Sequence, residues 1–320
     1  MTNKLKLASL FVFAILVVFS MTRCAKNLSN SSNSKLSSGI DGGVSPNLLP
    51  GKCPYSCHDI RCKAYENGYC GPDTIALITN PNNPYDSVGK RHNAGVRAIL
   101  PTYQSGTEPT MQNSWSYTIS YFQNYGYSPT FMDVVEDSTQ NRYDSTIYTM
   151  TVNSLATYMY NSGLISSKME GYMTNLGNLC NALNSDSVSA ANYQTFANNV
   201  ISLETTIVND ASLDSTEKYS LLAGTSVARY STNYWMNYAD SVTCEKTPGG
   251  GSWFSWSTVG GGDVSGAVSG AVTGGAAAGF ATGGAAILPG AGVGAITGAV
   301  GNSIYEAGMQ LWHHWFGGKP

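Results

Sequence analysis

Cys70-Gly71-Pro72 is the one place where residue types suggest nucleophilic chemistry, with His92 downstream as a base. A helix N-terminus and a nearby imidazole both favour thiolate, the reactive form of cysteine. No Asp or Asn orienter for His92 is identifiable, so no residue is assigned a catalytic role. Cys70 is also one of six cysteines, Cys53, Cys57, Cys62, Cys70, Cys180 and Cys244, that remain once Cys24 is set aside. An even set in an exported chain reads first as disulfides, with connectivity left open. One arrangement closes the first four into a loop-rich cap and joins Cys180 to Cys244 across two helices. The spacings Cys53-x3-Cys57-x4-Cys62-x7-Cys70 lack the paired C-x2-C of zinc sites. His58 beside Cys57 is the metal alternative, and neither a metal nor a cofactor is assigned.

Arg229 stands amid apolar and small neighbours from Leu221 to Tyr234. That stripe reads as helix core, and a buried arginine there requires a carboxylate or carbonyl partner. Charged residues make up 12% of the chain, with a formal charge of -3 and no basic run. Nucleic acid is therefore not an expected partner, because binding it rests on clustered Lys and Arg.

The elements that would position these residues follow a helical pattern. Asn83 to Asn93 reads as a helix entrance, with Pro84 extended before it, Asp86 as cap, and Val88, Val96 and Ile99 or Leu100 facing a core. Further helices are expected from Met111 to Tyr125, from Ile147 to Asn161 with Gly163 as a left-handed cap, and from Ser189 to Asn209. Ser167-x-x-Glu170 has capping-box spacing ahead of Met173, Leu176, Leu179 and Leu183. Asp214 and Glu217 are expected to cap a last helix reaching about Tyr238.

The two ends differ from this middle. Lys4 and Lys6 followed by the apolar run Leu7 to Phe19 have the form of a signal sequence, too short for the roughly 20 apolar residues of a membrane span. Cys24 is a candidate lipidation site, although Arg23 precedes it where a small residue is usual, and a Ser/Asn-rich tether follows. Toward the C-terminus, no charged side chain occurs from Val264 to Tyr305. Val264-Ser265-Gly266-Ala267 recurs almost literally twice, so Gly266, Gly270 and Gly274 line one stripe of a helix. Gly290, Gly294 and Gly298 line another after the Leu288-Pro289-Gly290 break, which suggests a helical hairpin. Seven glycines lie between Val264 and Ile287, each costing ~1 kcal/mol against alanine in a solvated helix. Close helix packing in a membrane offsets such a cost, and Trp253, Trp256, Trp312 and Trp315 would then share one interface. The alternative is a soluble low-complexity tail.

The stretches Asn83 to Asn93, Thr216 to Leu222 and Tyr230 to Trp235 resemble a group of exported, largely uncharacterised bacterial proteins, many of them lipoproteins. The resemblance spans about Cys70 to Tyr238 and implies a cell-envelope or secreted setting without supplying an active site. The tail resembles glycine-zipper bacteriocins, but those are short and basic and follow a double-glycine leader.

The expected protein is thus mainly α: a helical bundle with a Cys-rich loop cap and a C-terminal Gly/Ala-rich helical hairpin. Its parts are a signal sequence (1–24), a tether (25–52), the Cys-rich region (53–84), a helical domain (85–244), a Gly-rich linker (245–262) and the hairpin (263–316). Membrane lipid and self-association through the zipper are the expected partners. The expected setting is the cell envelope or the secreted fraction, with a membrane-active, bacteriocin-like protein as the alternative function.

Overall fold

The computed structural model describes residues 75–105, 108–124, 150–183, 190–242, 254–282 and 287–316. Cys24, Cys53, Cys57, Cys62, Cys70, Cys244 and His58 lie outside these residues, as do the signal sequence and tether. Among the described residues there are eight α-helices and no strand, a mainly-α bundle as the periodicities imply. In chain order they are α1 (Ser87–Ile99), α2 (Met111–Asn124), α3 (Val152–Asn161), α4 (Ser167–Ala182), α5 (Ala190–Asn209), α6 (Ser215–Val242), α7 (Trp256–Thr282) and α8 (Ile287–Phe316). A 3-10 turn, Leu100–Ser105, follows α1.

Local chemistry sets the helix ends, and three of the expected caps differ. Ser166, not Ser167, is the N-cap of α4, its hydroxyl accepting from the Met169 amide, and Glu170 sits in the first turn. Asp86 occupies the N-cap position of α1 but makes no side-chain cap bond, because its carboxylate is committed elsewhere. Asp214 does cap α6, accepting from the amides of Thr216 and Glu217, whereas Glu217 accepts from the Ser166 amide. Gly163 ends the α3 turn at φ +69°, a left-handed conformation that L side chains rarely adopt.

The hairpin arms α7 and α8 pack most extensively against each other, and the remaining helices surround them. On one side α7 meets α3, α4 and α6; on the other α8 meets α1, α2 and α6, while α5 closes over α6. One continuous apolar core runs through all of them, from Val96 and Trp115 through Leu176 and Leu222 to Val268, Ile296 and Val300. The tail is therefore the centre of the bundle rather than an appendage to it.

Two details of the hairpin also move. Its first helix begins at Trp256, so residues 256–262 of the expected Gly-rich linker are helical and Asp263 lies well inside the first arm. Pro289 sits in the first turn of α8, where a missing amide costs no intrahelical bond, so Pro289-Gly290 belongs to the second arm and is not the break between the arms.

Candidate functional site

The zipper glycines meet in pairs: Gly266 with Gly298, Gly270 with Gly294, and Gly274 with Gly290. A Cβ at any of the six would lie under 3.0 Å from the backbone of its counterpart. Any larger side chain would force the arms apart, and both grooves are filled by the opposite arm of the same chain. Sheath side chains fill further glycine gaps on α8, where Trp115 covers Gly301, Tyr219 covers Gly292 and Pro109 covers Gly308. Buried Ser269, Thr273 and Thr297 satisfy their hydroxyls on their own helix, donating to the carbonyls of Ser265, Ser269 and Val293 at 2.7, 2.9 and 2.9 Å. The arms thus carry polar residues through the core without unpaired hydroxyls.

Beneath the hairpin, α6 anchors two buried polar clusters. Glu204, on the core stripe of α5 between Val200 and Ile207, is wholly buried. Its Oε1 receives Arg229 Nη2 at 2.9 Å and Asn83 Nδ2 at 2.7 Å, and its Oε2 receives Asn80 Nδ2 at 2.6 Å. Arg229, also wholly buried, donates Nη1 to the Ile78 carbonyl at 2.7 Å and Nη2 to Asp86 as well. Burial opposes the guanidinium charge, but the Glu204 and Asp86 charges raise its pKa. Asp86 then accepts the Tyr230 hydroxyl at 2.9 Å. The cluster ties the segment before α1 to α5 and α6, so Arg229 has the carboxylate partners its setting demanded.

The second cluster joins the sheath to the hairpin. His92 on α1 and Asp263 on α7 are both wholly buried, with His92 Nε2 3.6 Å from Asp263 Oδ2. Ser303 of α8 donates to that Oδ2 at 3.0 Å, Ser231 of α6 donates to it too, and Trp235 Nε1 donates to Ser303 Oγ at 3.0 Å. Burial pushes His92 down to about 4 and pushes Asp263 up to about 8, the latter against the two serine hydroxyls. Cys180 on α4 is buried and has no disulfide partner among the described residues, and burial and then the Asp263 charge push its thiol up to about 12. It is held in its inert form.

The residues singled out in the sequence therefore separate. The six zipper glycines come together, and Arg229 gains its partners. His92 is enclosed, its Nδ1 held by Asn93 at 3.0 Å and its Nε2 facing Asp263, so a base in that place meets no substrate from solvent. Glu204 and Asp263 were missed, although each left a trace: a carboxylate on an apolar helical stripe, and a single acid at the edge of a long uncharged run. A cavity of about 360 Å³ lies apart from both clusters, between Ile165, Met169, Thr216 and Val272. Comparison of the chain with family models, with curated proteins and with solved structures finds no match.

Proposed function

We propose that this is an exported, membrane-active helical protein that stores a glycine-zipper hairpin inside a sheath of helices and delivers it to a lipid bilayer. The observation that carries the reading is the enclosure of a glycine-rich, largely apolar hairpin by the surrounding helices. α8 contains a segment, Ile287–His313, long and apolar enough to cross a membrane, although 78% of its apolar window is buried in the bundle. Packing within a soluble core and packing within a bilayer both use the same bare-backbone contact, so the α7–α8 pair can keep its interface in either medium. The outer helices α1 to α5, each with a buried apolar face, suit an interfacial position once they lose the hairpin.

The test uses the full-length chain with vesicles of neutral and of anionic lipid. Expected is co-flotation with vesicles together with protease protection of residues within Ile287–His313. A chain that stays wholly aqueous with both compositions overturns the reading, leaving the hairpin as the core of a soluble bundle. Dye leakage from the same vesicles separates a membrane-disrupting role from anchoring.

A further inference from the structure

Asp263 is the one charged side chain in α7, and groups from α1, α4, α6 and α8 act on it. From α1 comes His92, from α6 Ser231 and Trp235, from α8 Ser303 and, one turn further on, Glu306, and from α4 the Cys180 thiol. Among these His92, Asp263, Glu306 and Cys180 can titrate, and Cys180 keeps its proton at ordinary pH. The tautomer of His92 is fixed from behind. Asn93 Nδ2 is committed to the Tyr230 carbonyl at 2.9 Å, so Asn93 presents its oxygen and His92 Nδ1 must be the donor. That leaves the bare Nε2 lone pair aimed at the Asp263 carboxyl. Neither His92 Nε2 nor Asp263 Oδ1 has a hydrogen-bond partner, and the groups that favour a charge here are neutral, among them the Ser231 and Ser303 hydroxyls for Asp263 and the Ala299 carbonyl for His92.

We propose that the His92–Asp263 contact is a latch, closed by one shared proton, that holds the sheath helix α1 on the hairpin and opens when that proton leaves. As a release device it rests on the stored-hairpin reading above. The direction follows from proton counting. Folded, the pair keeps one proton between about 4, where His92 titrates, and about 8, where Asp263 does. Unfolded, an Asp and a His together keep one proton between about 3.9 and about 6.5. The depressed His92 contributes stability that is lost as pH falls below 6.5, while the raised Asp263 contributes stability that is lost as pH rises from about 4. Between about 4 and 6.5 the two slopes cancel. From about 6.5 to about 8 only the folded pair still binds the proton, so stability falls as pH rises. Beyond that, an Asp263 carboxylate is left in a dry site near Glu306, and repulsion between the two acids favours opening. The latch is alkaline-sensitive, not acid-sensitive.

Hydrogen exchange of α1 and α7 in the lipid-free full-length chain, corrected for intrinsic rates, reads the latch directly. Between pH 6.5 and 8 the opening equilibrium should rise about eightfold, part of a total of about 30-fold that is complete only from well below 6.5 to well above 8. Asp263→Asn, which cannot ionise, should remove most of the rise, and Glu306→Gln, which removes only the neighbouring buried acid, should keep the larger part of it. A flat wild-type profile, or the same rise in Asp263→Asn, overturns the proposal. A carbon-13 titration of the Asp263 carboxyl in the wild-type chain is independent of whether any variant folds. A midpoint near 8 supports the latch and one below 5 overturns it. No lipid enters these measurements, so their failure is distinct from failure to bind vesicles.

Discussion

At the residue scale, Arg229 is held by two carboxylates and a carbonyl in a place without water. Arg229→Met would strand Glu204 as a buried unpaired acid and should cost about 3–5 kcal/mol in urea unfolding. Combining it with Glu204→Gln should recover part of that loss, since the buried charge is gone and one of Asn80 and Asn83, which bond different carboxylate oxygens, can still donate to the amide oxygen. Cys180 gives a second check. Its peptide should resist iodoacetamide at pH 8 in the native chain and be alkylated after denaturation without reductant. Alkylation only after reduction would instead place it in a disulfide. Arginine's need for a partner was legible from its apolar surroundings, but which acid supplied it was not. Glu204 lies 25 residues away on another helix, and its pairing depends on how α5 crosses α6.

At the element scale, the zipper was the most legible feature, because a four-residue glycine period has one geometric meaning on a helix. Its partner surface was less so. The same stripe suits another helix in a bilayer, a second copy, or the other arm of one hairpin, and only the fold distinguishes them. Gly270→Val should destabilise the bundle by several kcal/mol, since the new side chain meets the Gly294 backbone and neither helix can move without leaving the sheath. Gly171→Ala is the contrasting control: exposed in α4, with nothing near a Cβ, it should stabilise by up to ~1 kcal/mol. Thermal or urea unfolding of both variants checks the pair. Caps were legible only to within a residue. Ser166 and Ser167 are equivalent as sequence, and Asp86 is a good capping residue diverted by Arg229 and Tyr230.

At the scale of the whole molecule, a bundle built around its own tail has consequences that an appended tail would not. A chain ending at Lys246 loses α7 and α8, against which α1, α2, α3, α4 and α6 all pack. It should lose cooperative unfolding and expose apolar surface, seen as dye binding and aggregation. Local periodicity could not reveal this, because the apolar faces of the sheath helices show only that something covers them. The account is tested most directly by hydrogen exchange of the full-length chain, compared in water and with lipid vesicles. The prediction is that residues 264–282 and 287–304 are among the slowest to exchange in both media, while α1 and α2 lose protection when lipid is present. Exchange of these residues in water at the rate of an unstructured peptide would contradict it.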